Sequence, residues 1–191
     1  MEPVYKTEET FDKIDYKENP LKKGDYEYCT FNTCDFSETD LSEIKFSDCE
    51  FNGCNLSLAK LTGTAFRDIT FKDCKMLGLH FENCNPFGLS FTFENCILNH
   101  SSFYECKIPN TIFRNLQLQE TDFTACDLSR SLFERCDLLR TVFARANIEK
   151  ADFRTSFNYS IDPEMTRIKK ARFSLAGISG LLDKYDIEIE N

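Results

Sequence analysis

Tryptophan is absent from this 191-residue chain, and glycine, proline and histidine are scarce, with seven, five and two copies. So little glycine and proline excludes collagen-like and low-complexity chains. No apolar run approaches the roughly 20 residues that a membrane-spanning helix needs. The first ten residues, MEPVYKTEET, lack the basic and apolar regions of a secretory signal. We therefore expect a cytoplasmic protein without membrane association.

Catalytic signatures are also missing. The chain contains no G-x-x-x-x-G-K-[ST], no G-x-S-x-G and no H-E-x-x-H. His80 and His100 stand at positions expected to face solvent, and neighbouring carboxylates form no acid/base pair without a pocket. We expect no catalytic residue, no cofactor and no enzymatic activity.

A five-residue repeat dominates what is present. Residues 121–155 divide into TDFTA, CDLSR, SLFER, CDLLR, TVFAR, ANIEK and ADFRT, each with a large apolar centre in third place. The same spacing runs from Leu98 to Phe153 and, in a second frame, from Phe31 to Pro86. Two positions before these 24 centres, 20 residues are Cys, Ser, Thr or Ala. A period of five fits neither a helix nor a flat strand, so it is an internal repeat.

A second period of twenty lies on the first. Phenylalanines recur at that interval from Phe11 to Phe173, with one slip of two residues near Phe91. Four pentads therefore form one coil, and like residues stack on like. At about 4.8 Å per strand step, seven steps make a rod roughly 34 Å long with a filled interior.

Blocks such as CDFSE (34–38), TDLSE (39–43) and CNLSL (54–58) resemble the pentapeptide-repeat proteins, in particular their quinolone-resistance members. The resemblance implies an all-β fold, a right-handed quadrilateral β-helix with four pentads per coil. We divide the chain into an N-terminal cap (1–28), the β-helix (29–173) and a C-terminal helical cap (174–191). Pro86 and Gly88 predict a bulge or short loop at a two-residue interruption near 87–92. It is either a tolerated insertion or a projecting contact.

All ten cysteines occupy the small position two residues before a centre. We therefore expect reduced, buried thiols that act as small apolar side chains. No C-x-x-C pair occurs, and a zinc site needs four converging ligands. The prediction is no metal site and no disulfide.

Charge is distributed unevenly. Residues 1–100 carry 18 acidic and 10 basic side chains, whereas residues 101–191 carry 14 and 13, for a total of −9. Such acidity disfavours direct nucleic-acid binding and favours basic partner surfaces. The predicted partner-binding surface consists of acids in the first block: Asp35, Glu38, Asp40, Glu43, Asp48, Glu50, Asp68 and Asp73.

A basic girdle opposes this acidity in one later coil, at Arg130, Arg135, Arg140, Arg145 and Lys150. We expect nearby acids to neutralise it in exposed ion pairs: Asp127, Glu134, Asp137, Glu149 and Asp152.

The last 18 residues are too apolar for a cap that meets only water. Helical spacing predicts a short helix, followed by a possible strand over 186–190. The resemblance implies a homodimer through this C-terminal tip, with contacts at Ile178, Leu181, Leu182, Tyr185 and Ile187.

Two functions stay open. The resemblance implies a DNA mimic that binds DNA gyrase or topoisomerase IV and protects it from quinolones, because a narrow acidic rod can occupy a basic DNA-binding saddle. The alternative is a generic interaction scaffold with another target. A continuous acidic stripe favours the mimic, and a patchwork of paired charges favours the scaffold.

Overall fold

A computed structural model describes residues 3–190 of the chain, which form a stack of parallel coils. Short strands lie on two sides of the first four coils and on one side of the next three. They are β1 (Val4–Thr7), β2 (Thr10–Asp12), β3 (Gly24–Glu27), β4 (Thr30–Asn32), β5 (Lys45–Ser47), β6 (Glu50–Asn52), β7 (Ala65–Arg67), β8 (Ile69–Lys72), β9 (Phe91–Glu94), β10 (Ile112–Arg114) and β11 (Leu132–Glu134).

These strands build two parallel sheets, with orders β1-β3-β5-β7 and β2-β4-β6-β8-β9-β10-β11. Partners lie twenty residues apart, as in Phe31 with Phe51 and Phe113 with Phe133. Isolated bridges continue the pairing where no strand forms, for example between Asp127 and Asn147. The predicted parallel β-solenoid with a short C-terminal helix is therefore confirmed, while its right-handed sense stays a prediction.

The pentad centres fill the interior in four columns. Column A is Phe11, Phe31, Phe51, Phe71, Phe93, Phe113, Phe133, Phe153 and Phe173, with neighbouring rings stacked 4.4–5.5 Å apart. Column B contains one centre per coil from Tyr16 and Phe36 to Leu138, and column C contains one per coil from Leu41 to Phe143. Column D contains Tyr26, Phe46, Phe66, Ile108, Leu128 and Ile148. Their near-complete burial leaves a packed core without a channel.

Hydrogen bonding explains the small residue of each pentad. The Cys54 thiol donates to the Phe31 carbonyl oxygen at 3.2 Å, and the Thr141 hydroxyl donates to the Leu118 carbonyl oxygen at 2.7 Å. In both cases the acceptor belongs to a centre of the preceding coil, 23 residues earlier. The position therefore needs a side chain that is small and can donate, which favours Ser, Thr and Cys over Ala or Gly.

Corners separate the columns. The residue two places after a centre adopts a left-handed conformation, with φ between +52° and +65° at non-glycine corners from Glu8 to Lys170. Such φ values are unfavourable for residues with a Cβ. At each corner the backbone N–H donates to the next coil, for example Asp48 N to Arg67 O at 2.9 Å. Corner side chains consequently project outward in rows parallel to the rod axis.

The interruption lies between Asn85 and Phe91. Asn85 N still donates to Thr64 O in the regular register, but Ile69 pairs with Phe91 at an interval of 22 residues. Pro86, predicted as a core centre, is exposed, which corrects that assignment. Leu89 and Phe91 are buried in its place because they offer larger apolar side chains to the core. A 3₁₀ turn, Phe81–Asn83, precedes the bulge.

Both ends differ from a simple cap. Within the predicted N-terminal cap, residues 4–28 already form a coil, because β1 pairs with β3 and β2 pairs with β4. At the other end, Leu175–Leu181 and Asp183–Tyr185 are 3₁₀ helices. The predicted strand over 186–190 is wrong. Asp186 adopts a left-handed conformation at φ 48°, and residues 186–190 pair with no strand of the described chain.

Candidate interaction surface

The structure divides the eight predicted partner-binding acids into two groups. Glu38, Asp40 and Glu43 form ion pairs with Lys17, Lys60 and Lys23, at 3.7, 3.7 and 3.1 Å. Asp35 accepts hydrogen bonds from the backbone N–H and hydroxyl of Ser37, at 2.8 and 2.6 Å. These four lie around columns B and C.

The other four acids lie around column A. Asp48 and Asp68 are exposed corners between columns D and A, Glu50 is on the strand β6, and Asp73 is the following corner. Within residues 3–190, none of the four has an ion-pair partner. Asp68 and Asp73 accept hydrogen bonds from Ser90 and Asn95, at 2.9 and 3.0 Å. The acidic strip is therefore narrower than the predicted surface and confined to one side of the rod.

The Asp35 carboxylate is used within its own coil. Its carboxylate closes a turn onto the backbone two residues on, as Asp122, Asp127 and Asp152 do in later coils. Burial alone would raise the pKa of Asp35, but the Ser37 hydrogen bonds hold it below its usual range. An acid at the second position of a pentad thus has a structural role, because its carboxylate hydrogen-bonds to the backbone of its own turn.

The basic girdle is less neutralised than predicted. Arg135 pairs with Glu134 at 2.7 Å, and Arg140 pairs with Glu120 at 3.3 Å. Arg130, Arg145 and Lys150 have no ion pair among residues 3–190. The predicted partners Glu149 and Asp152 instead pair with Arg167 and Arg172, because these arginines stand one coil further along. Asp127 and Asp137 accept only neutral hydrogen bonds, including those from Asn147 and Asn158.

The C-terminal tip exposes an apolar patch. Among the predicted dimer contacts, Ile178, Tyr185 and Ile187 are 45%, 49% and 55% exposed, whereas Leu181 packs against the core and Leu182 is half-buried. Leu175, which is 88% exposed, begins the apolar stripe at helical spacing but was not among the predicted dimer contacts.

A charged clamp holds this tip to the last coil. The Lys184 ammonium contacts Asp162 Oδ1 at 2.8 Å and Glu164 Oε2 at 2.6 Å, and the Tyr185 hydroxyl donates to Glu164 Oε1 at 2.9 Å. The hydrogen bonds from Lys184 lower the pKa values of both carboxyls and raise that of the lysine. The tip is therefore a docked element with a defined outer surface.

A groove of about 650 Å³ opens beside the interruption, between Phe87, Leu89 and Tyr104. Phe87 is 77% exposed, and the Arg67 guanidinium lies 5.7 Å from its ring centroid. Glu82 faces the groove and contacts His80 Nδ1 at 2.9 Å through one carboxylate oxygen. His80 and His100 are both largely exposed, as predicted.

The ten cysteines are unbridged and buried. Burial raises the pKa values of the Cys49, Cys106 and Cys136 thiols to about 12, so these side chains stay protonated near neutrality. In the described part of the chain, no group of three or more His, Cys, Asp or Glu side chains could hold a metal ion. None of its helices has the length and apolar character required to cross a membrane.

Comparison with protein families identifies the repeat. The family model of the pentapeptide repeat region matches residues 25–92 and 89–159. Comparison with curated protein sequences gave no match.

Solved structures share the fold over nearly the whole chain. Two trypsin-treated forms of QnrB1, described as a plasmid-mediated fluoroquinolone resistance protein, match with TM-scores of 0.63 and 0.64 at 17% and 18% identity. The matches cover 97% and 95% of this chain and 99% of QnrB1 in both cases. HetL from the cyanobacterium Nostoc sp. strain PCC 7120, a pentapeptide repeat protein of heterocyst differentiation regulation, matches at a TM-score of 0.48 and 14% identity, over 88% of this chain and 84% of HetL.

Proposed function

We propose that this chain, which belongs to the pentapeptide-repeat family, acts by binding another protein. In this proposal it is a DNA mimic directed at a type II topoisomerase. The target would be DNA gyrase or topoisomerase IV, and the outcome protection from quinolones. The observation that carries the proposal is the strip of unpaired acids beside column A: Asp48, Glu50, Asp68 and Asp73.

Geometry supports this strip as the contact surface. Asp48 and Asp68 occupy successive corners of one row, so they stand about 4.8 Å apart along the rod. That spacing is of the same order as the roughly 3.4 Å of helix axis per phosphate of one DNA strand. Unpaired carboxylates keep their full charge for a basic saddle, whereas Glu38 and Glu43 already share theirs with lysines. The likeness of length and fold to QnrB1 is consistent with the same kind of target.

The proposed location is the cytoplasm, where topoisomerases act and thiols stay reduced. The proposed assembly is a two-fold dimer through the exposed tip residues Leu175, Ile178 and Ile187, which would double the length of the rod. Ile178→Asp should convert the dimer to a monomer in sedimentation velocity. Leu58→Asp, at another exposed apolar position, is the matched control and should leave the dimer intact.

A supercoiling assay with purified gyrase and ciprofloxacin tests the proposed target. The chain should restore supercoiling in the presence of the drug. Asp48→Lys/Asp68→Lys should raise the concentration required by about tenfold or more, equivalent to about 1.4 kcal/mol. Glu38→Lys/Glu43→Lys changes the net charge equally, also at exposed corners, and should retain protection.

Lack of protection by the wild-type chain, with gyrase and topoisomerase IV from several bacteria, would refute the topoisomerase proposal. Inhibition without drug would keep DNA mimicry but of an inhibitory kind. The second candidate, a scaffold for another partner, is favoured by the many charges already paired along the coils, such as Arg114 with Glu94 and Glu134.

A further inference from the structure

One corner row changes the sign of its charge halfway along the rod. We call it the split-charge edge: the corner residues between columns D and A, namely Glu8, Tyr28, Asp48, Asp68, Asn110, Arg130, Lys150 and Lys170. All eight adopt the left-handed corner conformation and are exposed. The interruption occupies the step between Asp68 and Asn110, with Gly88 at a φ of 71°. Acids precede it, and basic residues follow it.

The charged residues of this edge have only neutral hydrogen-bond partners in the described part of the chain, such as Ser90 for Asp68 and Asn110 for Arg130. Among residues 3–190, none of its three acids and none of its three basic residues forms an ion pair. Other rows pair or bond internally. Arg140 reaches Glu120 in one row, while Arg135, Asn115 and Asn95 bond in sequence toward Asp73 in another. On the split-charge edge, like charges stand on successive corners. Between its corner side chains, the one hydrogen bond within residues 3–190 is from Arg130 Nε to Asn110 Oδ1 at 3.1 Å.

From this pattern we infer that the split-charge edge pairs with the same edge of a second copy of this chain, antiparallel about a two-fold axis. The eight named corners lie symmetrically on both sides of the interruption, four on each. Reversing one copy sets Glu8 against Lys170, Asp48 against Arg130, and Asp68 against Asn110. The two-fold axis makes each contact twice, as an isologous interface requires. A parallel arrangement would instead oppose like charges.

The remaining members of the edge fit the same register. Tyr28, 60% exposed, meets Lys150, and an ammonium over an aromatic face is favourable. Asn110 accepts from Arg130 through Oδ1, which leaves its amide N–H groups for Asp68 of the other copy. Phe87, the bulge side chain exposed to 77%, lies at the middle of the edge, close to the axis. The bulge therefore supplies an apolar contact at the centre of a polar interface.

Contact along one edge buries less surface than the roughly 1,600 Å² of a standard interface. We therefore expect a weak association that depends strongly on salt. It uses a different surface from the proposed tip dimer and does not require a topoisomerase. It also covers Asp48 and Asp68, so a bound topoisomerase and the paired copy would exclude each other.

Sedimentation velocity of the full chain carrying Ile178→Asp tests the inference without interference from the tip. Association should be observed at about 20 mM salt and weaken at least tenfold at about 500 mM, where the Debye length is about fivefold shorter. A basic-row variant (R130E, K170E) and an acidic-row variant (E8K, D48K) should each fail to associate. Mixed together they should form a heterodimer, because their edges are then fully complementary. R135E/R140E/R145E, in the same coil, is the control and should associate normally.

Carbodiimide cross-linking then locates the register. Glu8 and Lys170 of one chain are eight coil steps apart, about 38 Å, so a Glu8–Lys170 cross-linked peptide can form only between two copies. Recovery of that peptide supports the antiparallel register. Monomers at low salt, association that survives the basic-row reversal, or mixed variants that stay apart would overturn the inference.

Discussion

The coils before the interruption and the coils after it share one interior but differ in their surfaces. Column A stacks with ring spacings of 4.8–5.0 Å from Phe11 to Phe71 and 4.4–5.5 Å from Phe93 to Phe173. One corner row, the split-charge edge, passes from acidic to basic over the same length. The inward positions therefore fix the fold, and the corners are available to carry whatever charge a partner requires.

A core truncation should break both halves equally. Phe51→Ala and Phe133→Ala each remove a fully buried ring from column A, and each should cost about 3–5 kcal/mol of unfolding free energy. Urea denaturation followed by circular dichroism measures the loss. A markedly smaller cost in one half would contradict the equivalence of the two interiors.

Addition of a single methyl group at Gly180 should weaken the packing of the C-terminal tip against the last coil. A Cβ at Gly180 would stand 2.1 Å from the Tyr159 carbonyl oxygen. Because that oxygen belongs to the backbone, it cannot move away unless the last coil moves with it. Gly180→Ala should therefore detach the tip or cost about 1–3 kcal/mol by overpacking. Hydrogen exchange should show faster exchange over 175–185, with the coils before the interruption unchanged. Gly63→Ala, where a Cβ meets nothing closer than 3.7 Å but φ is +71°, separates overpacking from corner strain.

Removal of a ladder donor should have a moderate effect. Thr141→Val deletes the hydroxyl that donates to Leu118 O at almost constant volume, and should cost about 1 kcal/mol. Thr141→Ser keeps the donor and serves as control. Chemical denaturation of both variants compares them. The same deletion at Cys54 or Cys74 should cost less, because a thiol is a weaker donor than a hydroxyl.

The smallest expected effect is the pH-dependent stability that the turn carboxylates contribute, Asp35 in the first half and Asp152 in the second. Hydrogen bonds from Arg154 lower the pKa of Asp152, and those from Ser37 lower the pKa of Asp35 against the effect of burial. A lowered folded-state pKa stabilises the protein above the unfolded value of about 3.9, and this contribution disappears as the pH falls through the folded value.

Asp152→Asn and Asp35→Asn should therefore each lower stability at pH 7 by about 1 kcal/mol or less, as is typical of exposed pairs. Thermal denaturation at pH 7 and below pH 3 measures the difference from wild type. Because Arg154 is charged and Ser37 is not, salt should reduce the Asp152 effect and leave the Asp35 effect. A difference that persists at the acidic pH would contradict the assignment to these carboxyls.

Sequence periodicity predicted the coil, its four columns and the burial of the cysteines, because each depends on a local rule repeated at five and twenty residues. The periodicity failed where the rule was interrupted. Pro86 was assigned to the core, yet Leu89 and Phe91 fill that space. A strand was expected over 186–190, where the left-handed Asp186 ends regular structure and no pairing strand lies alongside in the described chain.

The side-chain contacts of the candidate surface were harder to predict from the sequence than the fold. Composition identified an acidic first half, but it could not separate Glu43, paired with Lys23, from Asp48, which has no such partner within residues 3–190. Pairing between coils joins residues about twenty apart, and small differences in side-chain reach decide it. The central place of Phe87 on the split-charge edge could not be predicted for the same reason.

By itself, the sequence determined that the chain is a pentapeptide-repeat solenoid with an aromatic core, since every inward position repeats one packing requirement. Only the tertiary structure decided which outward charges stay unsatisfied. Stacking places Glu8, Asp48, Arg130 and Lys170 on one edge, although they span more than 160 residues of sequence. The physical reason is that a core side chain packs only against its own coil and the adjacent coils, which the repeat specifies. A surface charge can pair with any side chain within reach, and the repeat does not specify those neighbours.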